Sequence, residues 1–259
     1  MQALTLTAGQ GWRWLPAGYR MFRRNPPLLT LLVLTYWLCL ALISIFPLVG
    51  GVISYLALPA LSVMLMNGCR LVEREQRPKL PLLLTGIQRQ PQALVLLGGI
   101  YLVALVCIMG LSALVDQGAL FNFIFAGKSV PEDALENGQF ALSAGLALLL
   151  VTPVVMAYWF APLLVAWHGC KPVKALFFSF VACKRNWRPF LAYALNVALW
   201  SGIFPAALLA LCAALFADAA GFVSALLTVP LVLILAPTLM ASFYVSYREI
   251  FLEDDVIQA

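Results

Sequence analysis

Charge disappears from the chain between Arg24 and Arg70, and the stretch between them is almost wholly apolar. About 20 apolar residues cross the hydrocarbon core of a membrane, so this run is long enough for two spans. The turn signal Pro47-Leu48-Val49-Gly50-Gly51 divides it. The pattern therefore predicts helices over about 28–47 and 51–69, joined as a tight hairpin. Further unbroken apolar runs predict helices over about 92–115, 140–168, 189–216 and 221–247. The third ends near Asp116, and Ala217-Asp218-Ala219-Ala220-Gly221 turns the fifth into the sixth. The last two exceed what the core requires, so tilting or kinking is expected, with Pro205, Pro230 and Pro237 as the kink sites. Barrel strands would alternate apolar and polar residues over roughly ten positions; these runs do not alternate.

Composition sharpens the class. Of the 259 residues, 63% are hydrophobic and 10% charged, with a mean hydropathy of +0.96. A soluble domain averages about 25% charged residues, so this chain has too little charge to cover a soluble surface. The fold class expected is all-α: a polytopic membrane helical bundle of six transmembrane helices in one integral domain over 1–259. No apolar core of a signal peptide precedes the first span, which is expected to act as its own insertion signal without cleavage. The six cysteines are scattered, with no Cys-x-x-Cys, and point to neither a disulfide framework nor a metal site.

Basic residues set the expected orientation. Of the 16 Lys and Arg, all but Lys128 fall before span 1, between spans 2 and 3, between spans 4 and 5, or after span 6. The positive-inside rule makes that side cytoplasmic, with both termini inside. Asp116, Glu132, Asp133, Glu136 and Asp218 then lie outside.

A short motif recurs at the start of the odd-numbered spans. LPAGYRMFRRNP (15–26), LPLLLTGIQRQP (80–91) and LFFSFVACKRNW (176–187) align without gaps. Arg24, Arg89 and Arg185 coincide, followed by Asn25, Gln90 and Asn186. A second element recurs in the even-numbered spans, YLALPAL (55–61), YWFAPLL (158–164) and LILAPTL (233–239), aligning Pro59, Pro162 and Pro237. The expected unit is an interfacial helix, a span, an outside turn and a proline-bearing span, repeated over about 10–70, 78–170 and 172–250. In the first copy Trp12, Leu15, Tyr19 and Phe22 share one helical face and Arg13, Arg20 and Arg24 another, as in a helix lying on a membrane surface. The motif reads as a corner that turns the chain from the surface into the membrane. Its Arg and Asn/Gln residues are candidates for binding anionic lipid headgroups or phosphate, with topology anchoring as the plainer reading.

Few residues suggest chemistry. No ionisable side chain falls inside the six predicted spans, which weighs against proton-coupled transport. His168, the single histidine, sits at a span end and reads as an anchor. Asn196, the most polar residue of span 5, is expected to make an interhelical hydrogen bond. With Pro59, Pro162 and Pro237 it is also the candidate set for lining a cavity. The loop 116–139 sets four acids against Lys128. Its Leu-Phe-Asn-Phe-Ile-Phe piece is expected to dip into the interface or cap the bundle, and its Pro-Glu-Asp-Ala-Leu-Glu-Asn piece is the candidate contact for an envelope protein. The tail REIFLEDD (248–255) is expected to be disordered. No nucleotide-binding, metalloprotease or nucleophile-elbow motif occurs, no cofactor is implied, and the basic residues lie at the membrane rather than on a nucleic-acid face.

The stretches QALTL…GWRWLPAGYRMFRRNPPLL and YLALPALSVML resemble a family of six-span bacterial inner-membrane proteins, over nearly the whole chain. More distantly, the basic-helix-then-span pattern is similar to the YciC-type inner-membrane proteins and to the membrane domain attached to some glycerophosphodiester phosphodiesterases. The catalytic domain of the latter has no counterpart here. The resemblance implies a bacterial inner-membrane location and leaves the reaction open. The function expected is non-enzymatic support of an envelope or lipid-related process through anionic lipid or a membrane partner. A small permease with a cavity between kinked spans is the alternative.

Overall fold

In the computed structural model, residues 3–47, 49–131, 134, 136–215 and 220–251 are described. The described residues form helices α1 (Ala8–Arg24), α2 (Pro26–Ser44), α3 (Val49–Glu73), α4 (Leu80–Leu83), α5 (Pro91–Asp116), α6 (Ala119–Ala126), α7 (Gln139–Tyr158), α8 (Ala161–His168), α9 (Pro172–Arg185), α10 (Trp187–Val197), α11 (Phe204–Leu215) and α12 (Ala220–Ile250). A π-helical turn, Ala198–Ile203, joins α10 to α11. Six segments are long and apolar enough to cross a membrane: Pro26–Ser44, Val49–Glu73, Pro91–Asp116, Gln139–His168, Trp187–Leu215 and Gly221–Ile250. They match the six apolar runs, and the fold is an all-helical membrane bundle.

The contacts group these helices into two compact units, with α3 running through both. The first comprises the described parts of 1–42, 61–88 and 182–259, and the second those of 43–60 and 89–181.

In the first unit α1 packs against α10 and α12. The face it buries is Gly11, Trp14, Leu15, Gly18, Met21 and Phe22. This corrects the expected aromatic face: Leu15 and Phe22 are buried, but Trp12 and Tyr19 are each 45% exposed. Glycine is the reason. The chain approaches so closely at Gly11 that a methyl carbon there would land on the Pro189 carbonyl oxygen. At Gly18 it would lie 2.5 Å from the Ser242 amide nitrogen. Small residues allow backbones this close. Between them Trp14, fully buried, meets Phe190 and Tyr193 edge-on at 5.3 and 5.6 Å.

Span 6 continues further than its apolar run suggests, because its end is packed. Ile250 and Phe251 are buried, and the Ile250 carbonyl accepts the Leu4 amide at 2.9 Å. The tail is therefore ordered through Phe251; 252–255 lie outside the described residues.

The helix before each odd span is not the same in the three copies. α1 and α9 are full helices, whereas α4 is a single turn. Gly86, at φ +81, breaks the second copy, and the Asn67 amide on α3 donates to the carbonyls of Leu83 at 2.7 Å and Thr85 at 2.9 Å that the break frees.

In the second unit α5 packs against α7, α6 and α8. Asp116, at the end of α5, caps α6: its carboxylate accepts the amides of Gly118 at 2.9 Å and Leu120 at 2.8 Å. That pins Leu120 against Ile108 and Ala147, so α6 caps this end of the unit with one edge. Phe121, Phe123, Ile124 and Phe125 remain about half exposed. Glu132 and Asp133, from the candidate partner contact, lie outside the described residues, as does Asp218. Loss of a capping side chain costs about 0.5–2 kcal/mol, and Asp116 is buried. Asp116→Ala is therefore expected to destabilise near the top of that range, read as a lower thermal midpoint in detergent with the helical content retained.

Candidate functional site

At the repeated corners, the polar residues serve the local backbone. Asn25 ends α1, and its Oδ1 accepts the Leu28 amide at 3.2 Å, so one residue closes one helix and caps the next. Gln90 occupies the cap position of α5, its carbonyl accepting the Leu94 amide at 3.1 Å. Asn186 does more. Fully buried, it accepts the Leu6 amide at 2.8 Å and donates to the carbonyls of Leu4 at 2.8 Å and Ala182 at 3.0 Å. It thereby holds the extended segment 3–7 in place. The neighbouring Arg24, Arg89 and Arg185 are exposed. Arg24 and Arg185 belong to the first unit and Arg89 to the second.

Beside the first corner lies a polar cluster that the span-by-span reading passes over. The Glu73 carboxylate, at the end of α3, accepts the Tyr244 hydroxyl at 2.5 Å and pairs with Arg248. Glu249 accepts the Trp14 indole N–H at 2.8 Å. These two acids lie among the basic residues and tie α3 and α1 to the end of α12. The signal was available: an acid at each end of the paired spans, next to the positions where the apolar runs stop.

Pro59, Pro162 and Pro237 are all buried. A proline frees the carbonyl four residues before it. In α12 the Leu233 carbonyl receives a long 3.5 Å contact from the Thr30 hydroxyl. In α3 the Tyr55 carbonyl is approached by Gly98, where a side chain would collide with it. Pro162 starts α8 after a true break, and Ser179 fills that break, accepting the Phe160 amide at 2.9 Å and donating to the Met156 carbonyl at 2.8 Å. Asn196 donates to the Trp12 carbonyl at 2.6 Å, which is the expected interhelical bond. Its Oδ1 is buried without a protein partner.

The second unit holds a cleft of about 550 Å³ between the start of α3, the C-terminal half of α5, and α6. Its walls include Val52, Leu105, Val106, Met109, Phe121 and Phe125, with Tyr55 and Asn122 the polar side chains among them. None of the four cavity candidates from the sequence lines it. From Tyr55 a row of rings leads inward, to Tyr101 at 6.1 Å and on to Tyr158, stacked at 4.4 Å.

No family model matches the chain, and no solved structure matches it. A protein of Burkholderia thailandensis named a probable inner membrane protein is 35% identical over 257 residues, 97% of this chain and 94% of that one. The chain belongs to that family. The alignment covers nearly all of a chain in which six described helices are long and apolar enough to cross a membrane, so this member is an integral inner-membrane protein. That relative's name gives a place and no reaction.

Proposed function

We propose that the protein is a non-enzymatic, lipid-binding component of the inner membrane, with both termini cytoplasmic and α1 lying in the headgroup layer. The observation that carries this reading is the free face of α1. Arg13, Arg20, Arg23 and Arg24 are exposed there beside Trp12 and Tyr19, while the opposite face is locked against α10 and α12. Four guanidiniums are too costly to place in hydrocarbon. At the interface they meet anionic headgroups while the two rings flank them at acyl-chain level. Helix length agrees. The 31 residues of α12 span about 46 Å at 1.5 Å per residue, against a core of about 30 Å. α1 crosses α12 around Thr238 and Ser242, so the remainder of α12 stands on the cytoplasmic side of the core. Asn196, bonded to Trp12, then serves α1 docking rather than a polar path through the membrane. The buried prolines, with Thr30 and Gly98 at the carbonyls that Pro237 and Pro59 free and Ser179 in the break before Pro162, give a permease no specific support.

Native mass spectrometry of protein extracted in mild detergent tests the reading. With phosphatidylglycerol supplied, the wild type should retain bound anionic lipid. Each basic residue near an anionic surface is worth about 1 kcal/mol, so changing Arg13, Arg20, Arg23 and Arg24 together to Gln should lower retention by about tenfold or more. A parallel Arg89→Gln, Arg185→Gln variant separates the other two corners from the α1 face. Equal retention by wild type and both variants would sink the proposal.

A further inference from the structure

The cleft of the second unit has an unusual origin. Gly51 and Gly110 both line it, and each sits within a helix. A helical glycine is about 1 kcal/mol less favourable than alanine, and close packing normally justifies it. Gly98 follows that rule, packed on the Tyr55 carbonyl and Leu56. Gly51 and Gly110 do not: a methyl carbon on either would meet nothing within 4 Å. The missing side chains leave space instead of contact, and Ala113 continues the same hollow. Gly145 and Gly202 also face open space but line no part of the cleft.

What fills such a space follows from its surroundings. Its walls come from two membrane spans and α6 and are almost wholly apolar, and an apolar cavity does not hold water. Val52 and Val106 on its rim are 44% and 62% exposed, so the cleft opens toward the medium around the spans, which is hydrocarbon. At about 550 Å³ it has the size of a small-molecule site. α6 closes its end with Phe121 and Phe125, whose centroids lie 5.0 Å apart. Phe123 and Ile124 on the same helix are also about half exposed, as on a helix at headgroup depth. Just past α6 comes Lys128, exposed, its amide donating to the carbonyl of the cleft residue Asn122 at 3.2 Å. Between Arg89 and Lys171 the sequence has no other Lys or Arg. The one basic residue between positions 90 and 170 of the sequence thus follows the helix that closes the slot, with its backbone bonded to a slot residue.

We propose that this cleft holds one acyl chain of a phospholipid from the leaflet opposite the basic end, with the lipid phosphate at Lys128. The proposal is independent of the α1 face: it concerns other residues, another unit and the other leaflet.

The test uses the full chain in nanodiscs containing phosphatidylethanolamine with a photoactivatable diazirine on one acyl chain. Crosslinks mapped by peptide mass spectrometry should concentrate on Val106, Met109, Phe121 and Phe125, and unlabelled phospholipid should compete them away. A β-carbon at Gly51 or Gly110 meets nothing within 4 Å, so Gly51→Leu with Gly110→Leu should occupy the slot and cut this labelling about tenfold, equivalent to about 1.4 kcal/mol of binding, with the thermal midpoint unchanged or raised. Lys128→Gln should weaken labelling by the phospholipid but not by a diazirine fatty alcohol, which has no phosphate. Labelling spread evenly over lipid-facing positions such as Leu114, Leu148 and Leu149, or unaffected by competition or by the leucines, would overturn the site. Equal labelling by both probes in Lys128→Gln would overturn the headgroup assignment.

Discussion

Gly11→Ala is expected to destabilise the protein by at least about 3 kcal/mol, while Gly9→Ala, two residues away on the same helix, stabilises it by a few tenths to about 1 kcal/mol. The opposite signs follow from what each new methyl group meets. At Gly9 there is nothing within 4 Å; at Gly11 the methyl would fall on the Pro189 carbonyl. Backbone cannot rotate away as a side-chain tip can. Relief therefore requires α1 to lift from α10, and Trp14 leaves its pocket with it. Truncating a buried Trp costs about 3–5 kcal/mol, which sets the scale of partial undocking. The helix preference of alanine over glycine acts at both positions and is visible only at Gly9. Reversible unfolding of the two variants in detergent micelles gives the comparison. A Gly11→Ala protein as stable as wild type would show that α1 does not dock by this face.

Asn186→Leu is expected to cost about 2–4 kcal/mol, and Asn25→Leu, at the matching position of the first corner, about 1 kcal/mol. Loss of the Asn186 side chain removes the partner of the Leu6 amide and of the Leu4 carbonyl together. The Ala182 carbonyl still accepts the backbone amide of residue 186 at 3.1 Å and bears little of the cost, which falls on the partly buried Leu6 amide and Leu4 carbonyl. Asn25 contributes one capping bond, partly exposed, at 3.2 Å. The amide exchange of Leu6 gives a second readout: it should accelerate in Asn186→Leu and stay slow in Asn25→Leu. Equal costs at the two positions would mean that the segment 3–7 is not held by Asn186.

These two contrasts also show what was legible in the sequence. The spans were, because a run of apolar residues long enough to cross hydrocarbon is a property of composition alone. The sharp turns into spans 1 and 5 were also legible, since Asn-Pro and Asn-Trp-Arg-Pro follow a helix in each case. The docking face of α1 was not. A hydropathy pattern ranks side chains, so it selects Trp12 and Tyr19, whereas two of the positions that pack most closely, Gly11 and Gly18, have no side chain to rank. Glu73 and Glu249 were missed for a related reason: they follow the apolar runs and look like solvated ends until Tyr244, Arg248 and Trp14 are seen beside them. The cleft was invisible because it is made by absent side chains on Gly51 and Gly110, and a glycine's neighbours cannot be read from its own position. Asn196 was legible as a bonding residue, but its partner, the Trp12 carbonyl, lies 184 residues away.

The hook that joins Leu4 to Ile250 and Leu6 to Asn186 has a consequence for synthesis. The first helix to emerge finds its docking surfaces on the fifth and sixth spans, so it must wait through most of translation. A chain halted before residue 187 would leave Gly11 and Trp14 of α1 uncovered, and one halted before residue 238 would still leave Gly18 without its neighbours on α12. Closure of the first unit thus waits for span 6, which delivers Ile250 to the segment that precedes α1.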